Sequence, residues 1–407
     1  MASFGLVKLG LVLLALPLDV IANKHEHHLD PALVRPTIHV APHNTGKQFP
    51  VSPQRNPKKV CRVKGKGDGK DASKAILKAM RKCNDGGIVA LEGQLTVGKA
   101  LDLTFLKHID VAILGSIKFT DDVDYWVANS FKYDFQNSST FWRWGGKDVN
   151  IFSHGVGEID GNGQAWYNLL PTNSTLLRPI LFVADGLHDA QISGLKMINS
   201  PNWFNLYYKS SNIIVSDMNL HAFSNNSKIP PKNTDGWDTL SSSNIVIQDS
   251  VINNTDDCVS FKPNSTSIVI QNLNCNGSHG ISVGSLGRYV GEVDIVEDVY
   301  VYNTSMSNAS DGARLKINQC YGQNNLTACQ QNPSKLVLED VLFKDFTGTA
   351  SAKYDPQVGR LVCSSPDVCI NIRGENLNIN APSGKIAYWT CAGVDTSKLG
   401  VNCKPPA

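Results

Sequence analysis

Seven phrases of this chain resemble one another: KDVNIFS (147–153), DAQISGLKMINS (189–200), SNIIVSDMNL (211–220), SNIVIQDSVINN (243–254), TSIVIQNLNCNG (266–277), EDVYVYNTSM (297–306) and SKLVLEDVLFKDFTG (334–348). Each sets an alternating β-branched core between polar flanks, with Asn or Asp near a turn. Ile192, Ile213, Ile245 and Ile268 stand at matching places, at intervals of 21, 32 and 23 residues. A unit recurring every ~20–50 residues marks a solenoid, and β-branched strands with Asn-rich turns suit a parallel β-helix. The predicted fold class is therefore all-β. A β-sandwich would need hairpin turns between neighbouring strands, and few Asn-Gly or Asp-Gly pairs stand where hairpins demand them. One helix is predicted, within DASKAILKAMRKCND (71–85), with apolar residues at helical spacing and Asp71 as N-cap. Ahead of the coils, it would cap the open end of the solenoid.

Stacked coils bring distant residues together, because equivalent positions repeat about 4.8 Å apart up the stack. Asp235 in NTDGWDT, Asp256 in DDCVSF and His279 in SHGISVGSLG are separated by 21 and 23 residues, about one coil each. Arg314 and Lys316 in RLKIN follow a coil or two later, and their spacing of two puts both cations on one side of a strand. Asp256 and Asp257 are neighbours within INNTDDCVSF (252–261). In a regular strand one of them would face the core, at a cost of several kcal/mol if unpaired. A bend at a strand end would let both carboxylates reach one cleft.

Three carboxylates, an imidazole and two cations on one face suit hydrolysis of an acidic sugar. One carboxyl must hold a proton for the leaving group while another stays ionised to activate water, and crowding supplies that asymmetry. The cations suit charge-assisted hydrogen bonds to a uronate carboxylate. Singly, each motif reads blandly: DD as a turn, the His as a loop residue, RLK as an exposed strand face. Their order and coil-like spacing carry the reading.

Composition narrows the rest. Of the 407 residues, 42% are hydrophobic and 18% charged, which describes a globular chain. A net charge of +2 and the lack of a basic run with interleaved aromatics argue against a nucleic-acid partner. Lys8, the apolar run LGLVLLALPL and the small residue ending VIA predict a signal peptide over 1–22. A span needs about 20 apolar residues, and no later run supplies them, so the protein is expected to be secreted and free of membrane. Residues 23–57, rich in His, Pro and Lys without periodicity, are expected to form a flexible leader; the catalytic domain is expected to fill 58–407. The ten cysteines are expected to pair as sequence neighbours: 61–83, 258–275, 320–329, 363–369 and 391–403. No CxxC pair occurs, so zinc is not expected. Nine sequons, at Asn137, Asn173, Asn225, Asn253, Asn264, Asn276, Asn303, Asn308 and Asn325, fit a glycosylated secreted protein.

The ordered set NTD, DD, SHG and RLK resembles the polygalacturonase family of glycoside hydrolases, whose hallmarks are NTD, DD, GHG and RIK. Ser278 replaces the first Gly and Leu315 the Ile; the chemical residues remain. The resemblance covers roughly residues 60–405. It implies a right-handed parallel β-helix and inverting single-displacement hydrolysis with no metal or other cofactor. It implies Asp256 as general acid, Asp235 and Asp257 holding and activating water, and His279 tuning the acid. Arg314 and Lys316 would bind the galacturonate carboxylate. NTDGWDT, CVSFKPNST and NGSHGISVGSLG are closer to the fungal exo-acting branch. Release of galacturonic acid from the non-reducing end of polygalacturonate, by a monomer, is therefore expected. The surplus residues HAFSNNSKIPPK (221–232) are expected to wall off the cleft beside Asp235. Endo action or exo action on rhamnogalacturonan are the alternatives on the same site. A calcium-dependent lyase would need another motif set, and a carbohydrate-binding β-helix should have lost one of the three aspartates.

Overall fold

Each long strand of the repeat finds its partner one coil away, always in parallel. In the computed structural model, which describes residues 30–289, 291–317 and 336–406, the strand Val60–Asp71 pairs with Ile88–Val97, which pairs with Leu101–Ile113. The ladder continues through Trp142–Phe152, Phe182–Ser193, Ser211–Ser216, Ser243–Asn253, Ser265–Asn276 and Val296–Ser307. This is a right-handed parallel β-helix, the hand that right-twisted strands impose on parallel crossovers. Ile213, Ile245 and Ile268 stack in register as a fully buried column. The register corrects one interval: Ala190, not Ile192, lies opposite Ile213, and Ile192 faces Val215. The alternating pattern is the same after a slip of two, so sequence spacing alone does not separate the two registers.

The corners explain the Asn and Asp at the turns. Asp189, Asn212 and Asn244 have φ of 57°, 58° and 53°, a left-handed conformation that Asn and Asp tolerate better than most residues. Their side chains also bond up the stack, Asn212 Nδ2 to Asp189 Oδ1 at 2.6 Å and Asn244 Nδ2 to Asn212 Oδ1 at 2.8 Å.

The helix α1 (Ser73–Cys83) buries Ile76, Ala79, Met80 and Cys83 in the same core as the first coils, as a cap should. The N-cap is Ala72, not Asp71 as expected; Asp71 stands one residue ahead of it and still accepts from the Ser73 amide at 3.0 Å. Two further short helices, Val123–Asn129 and Gln164–Tyr167, were not legible as periodic runs. Four expected disulfides form, Cys61–Cys83, Cys258–Cys275, Cys363–Cys369 and Cys391–Cys403. Cys320–Cys329, Asn325 and the signal peptide lie outside the described residues. After residue 336 the strands shorten, and SKLVLEDVLFKDFTG contributes Leu338–Glu339, Leu342–Lys344 and Thr347–Thr349, each paired in parallel 31 residues on.

The segment expected to be a flexible leader is docked over its described part, 30–57. Arg55 is buried, with Nη2 2.8 Å from Asp148, while Arg35 Nη1 meets Asp110 at 3.2 Å. Gln248 donates to the His39 carbonyl at 2.9 Å, and the His43 ring lies 4.5 Å from both Tyr300 and Tyr302. The contacts run to single residues on many coils, so the segment shows no period of its own.

Candidate active site

Five short strands carry the site: β1 (Asn205–Tyr208), β2 (Trp237–Leu240), β3 (Val259–Phe261), β4 (Ile281–Leu286) and β5 (Ala313–Ile317). One per coil and parallel, they sort their side chains into columns. Trp237, Val259 and Ile281 are buried, and the next residue in each strand joins the column Leu206, Asp238, Ser260, Ser282 and Arg314. Two residues ahead of Trp237, Val259 and Ile281 stand Asp235, Asp257 and His279, one at the mouth of each strand.

The adjacent aspartates occupy a bend between the strand Ser243–Asn253 and β3. Asn254 holds that bend, with Nδ2 2.8, 3.0 and 2.9 Å from the carbonyls of Thr234, Asp256 and Asp257. Thr255 Oγ1 donates to the Pro231 carbonyl at 2.7 Å, tying the bend to the loop that carries Asp235.

Asp256 accepts from the Asp257 amide at 2.8 Å, lies 3.1 Å from His279 Nδ1, and accepts from Asn233 Nδ2 at 3.3 Å. Burial pushes its carboxyl up, but the His279 hydrogen bond and charge, the Asp257 amide and Lys316 outweigh it and hold the group below the ordinary range. The same bond raises His279 against its partial burial. Asp257 is fully buried and accepts from Lys316 Nζ at 2.5 Å, from Ser282 Oγ at 2.7 Å and from the Arg314 guanidinium. The two cations expected to hold substrate are thus both paired to Asp257, although about a quarter of each side chain stays exposed, 28% for Arg314 and 25% for Lys316.

Beside this group lies a buried trio that sequence reasoning missed in part. Lys262 Nζ sits 3.0 Å from Asp238 Oδ1, 3.8 Å from Asp235 Oδ2 and 2.9 Å from Ser260 Oγ, with the Trp203 ring 5.1 Å away. Burial raises Asp235 well above the ordinary carboxylate range, helped by the charges of Asp238 and Asp256. Burial also lifts Asp238, to about 6, with Lys262 pulling the other way. Burial alone would lower Lys262, but Asp238, Asp235 and Asp257 raise it overall, so it stays charged. Asp238 and Lys262 were legible in principle: each follows a buried strand residue, so alternation turns it to the site face. Arg178 was not, standing outside every repeat phrase. Buried, it donates to the carbonyls of Pro201 and Lys232, both at 2.6 Å, and to Asn233 Oδ1 at 2.7 Å, which fixes the amide that reaches Asp256.

Asp256, Asp257 and His279 each offer a ligand atom within 4.8 Å of the others. That is close enough for a cation, but both Asp257 oxygens already accept from Lys316 and Arg314, whose charges oppose one.

The column floor is covered on the N-terminal side. Among the described residues one antiparallel pair exists, Phe131–Tyr133 with Ser138–Thr140. Its Tyr133 and Phe135 pack against the cluster of Ile180, Val183, Trp203, Leu206 and Leu240. Its tip reaches the far side of the site, where the Gln136 amide donates to Tyr289 Oη at 2.8 Å.

A parallel β-helix with aspartates, His, Arg and Lys gathered on one strand column defines a polysaccharide-cleaving class of protein. The chain belongs to glycosyl hydrolases family 28, whose profile matches residues 87–323. It is 50% identical to exopolygalacturonase A of Aspergillus niger, over 89% of this chain and 93% of that protein. It is likewise 50% identical to an exopolygalacturonase of Cochliobolus carbonum, over 91% of this chain and 92% of that one. Among solved structures, endo-xylogalacturonan hydrolase from Aspergillus tubingensis superposes with a TM-score of 0.77 at 32% identity, covering 86% of this chain and 99% of that one.

Proposed function

We propose that the protein is a secreted, monomeric exopolygalacturonase that releases galacturonic acid from the non-reducing end of polygalacturonate with inversion. The family and the two fungal relatives support the reaction class and the substrate. The apolar cover carries the exo reading: a polymer lying along the strand column meets Tyr133 and Phe135 over Leu206 and Val183, directly beyond Asp238. The loop 221–232 is tied in on the same side, through Asn225 to Gln164 and Lys232 to Arg178. Disulfides support an oxidising compartment, and no helix among the described residues is long and apolar enough to cross a membrane.

In the mechanism, Asp256 gives its proton to the glycosidic oxygen as the bond to the anomeric carbon breaks. Asp235 takes a proton from the water that attacks that carbon from the opposite face, with Asp257 keeping Arg314 and Lys316 aligned for the sugar carboxylate. The anionic sugar adds negative charge beside Asp256 and engages its cations, which raises the acid from its low resting pKa. The resting electrostatics favour a second assignment, with Asp235 as donor and Asp256 beside the water.

A leaving group that needs no proton separates the two. On p-nitrophenyl galacturonide, the variant lacking the acid keeps most of its kcat, while on polygalacturonate it loses about 10²–10⁴-fold. Asp256→Asn should behave this way and Asp235→Asn should fail on both substrates; the opposite pattern assigns the acid to Asp235. Early monomer with slow loss of viscosity is the product signature expected on polygalacturonate. Early di- to hexamers with a rapid viscosity drop would reject the exo reading.

A further inference from the structure

The N-terminal end of the solenoid carries far more positive charge than the fold requires. Residues 58–107 hold 12 Lys or Arg against 5 Asp or Glu, a surplus of seven in a chain whose whole net charge is +2. The surplus centres on α1, which presents Lys74, Lys78, Arg81 and Lys82, all exposed, and contains no acidic residue. With Leu77 they line one shallow surface depression.

This arrangement works against the helix itself. Lys74 with Lys78, and Lys78 with Lys82, are like charges at i,i+4, which oppose helix formation. Among the described residues none of the four cations makes an ion pair. The nearby acids are committed elsewhere: Asp71 accepts from the Ser73 and Gly98 amides at 3.0 and 2.9 Å, Glu92 meets Arg62, and Asp102 Oδ2 lies 2.7 Å from Arg143. The buried side of α1 already satisfies the capping role through Ile76, Ala79 and Met80, and Arg81 lies over the Phe105 ring at 4.7 Å, so packing accounts for Arg81 but not for the three lysines.

We infer that the outer face of α1 is a docking surface for an acidic polysaccharide segment, separate from the cleft in which cleavage occurs. This rests on the reading that the substrate is a galacturonan. Lys74, Lys78 and Lys82 recur every four residues, about 6 Å along the helix axis, a row of charge suited to a polymer with a carboxylate on every residue. The depression is shallow and open, which fits an extended chain lying across it. From the first strand, Val60–Asp71, to Ser243–Asn253 beside Asp256 the ladder takes six steps, about 29 Å at the usual spacing. A segment on α1 is therefore not the bond being cut. It holds the enzyme on a galacturonan-rich matrix while the cleft works on chain ends.

The test is binding to an insoluble polygalacturonate gel, with the Asp256→Asn background used to spare the gel. The triple variant Lys74→Gln, Lys78→Gln, Lys82→Gln should bind about tenfold more weakly at low salt, and the difference should shrink as salt screens the charges. In the otherwise unaltered enzyme, the same triple variant should keep kcat/KM on trigalacturonate, since no cleft residue is touched. A single Lys78→Glu provides an independent check and should also weaken gel binding. Equal gel binding by parent and variants overturns the inference, as does a matching loss on trigalacturonate. Tighter binding of the parent to phosphatidylserine vesicles than to the gel overturns it in favour of a lipid surface. Failure of the parent to cleave trigalacturonate would instead refute the proposed function.

Discussion

Lys262→Met removes the cation closest to Asp235 and Asp238, which lies 3.0 Å from the latter. Deleting one partner of a buried ion pair costs about 3–5 kcal/mol if the orphaned charge persists. The orphan has an escape, because Asp238 is already raised to about 6 with Lys262 in place. Without the ammonium it rises further and stays protonated in the folded state where the unfolded chain has lost that proton. Stability attached to a raised carboxyl is present in acid and lost as pH rises towards the folded pKa. Below about pH 6 both proteins hold the proton and differ least; above it the penalty grows by about 1.4 kcal/mol per pH unit, or about 2.7 kcal/mol from pH 6 to 8. Asp257 and Lys316 also face this pair electrostatically but are unchanged by the substitution. Urea unfolding at about pH 5 and about pH 8 reads the difference directly through ∂ΔG/∂pH. Catalysis should report the same shift, since in the substrate complex an Asp235 that must ionise will do so only at higher pH, moving the acid limb of kcat upward. Lys262→Arg should restore both. A penalty equal at the two pH values, with an unmoved acid limb, would show that Lys262 is only packing.

Three further outcomes are expected. His279→Gln removes the main group holding Asp256 down, so burial prevails and the alkaline limb of kcat, which titrates the substrate complex, should move to higher pH as kcat falls; an unmoved limb would separate His279 from the acid. Arg55→Ala takes from Asp148 the cation that meets it at 2.8 Å but leaves it His108 and Ser52, and should cost about 1.5–3 kcal/mol in thermal or urea unfolding; no loss would mean residues 30–57 do not clamp the coils. Asn276 Nδ2 donates to Asn253 Oδ1 at 2.7 Å, and Asn276 Oδ1 accepts from Asn308 Nδ2 at 2.8 Å, so a glycan there would break the ladder. Peptide mapping should find Asn276 bare, and full occupancy in active enzyme would refute this.

Much of the fold was legible because stacking forces a repeat. The Ile213, Ile245 and Ile268 column could be read from β-branched alternation, and neighbouring cysteines landed on adjacent turns. What escaped had no period. Residues 30–57 hold the coils through isolated ion pairs, and Gln164–Tyr167 is too short for helical spacing to show. The site followed the same division. Asp235, Asp256, Asp257 and His279 could be placed together because they recur at about one coil, and the structure gathers them. Lys262 and Asp238 obey strand alternation, but burial makes them matter, and burial is invisible in a motif. Arg178 acts through Asn233 from another coil, a contact that exists only after folding. The same holds for Arg314 and Lys316, whose spacing located them on one face but could not tell that both grip Asp257.

The central claim is that this cleft releases one sugar at a time from a chain end by a single displacement. Proton NMR during the first minutes of hydrolysis of a short oligogalacturonate, with its reducing end chemically reduced, reads both parts at once. The account predicts free galacturonic acid appearing first in the β configuration, with the reduced end retained in the shortened oligomer. Early internal fragments, an initial α product or an unsaturated uronate would contradict it.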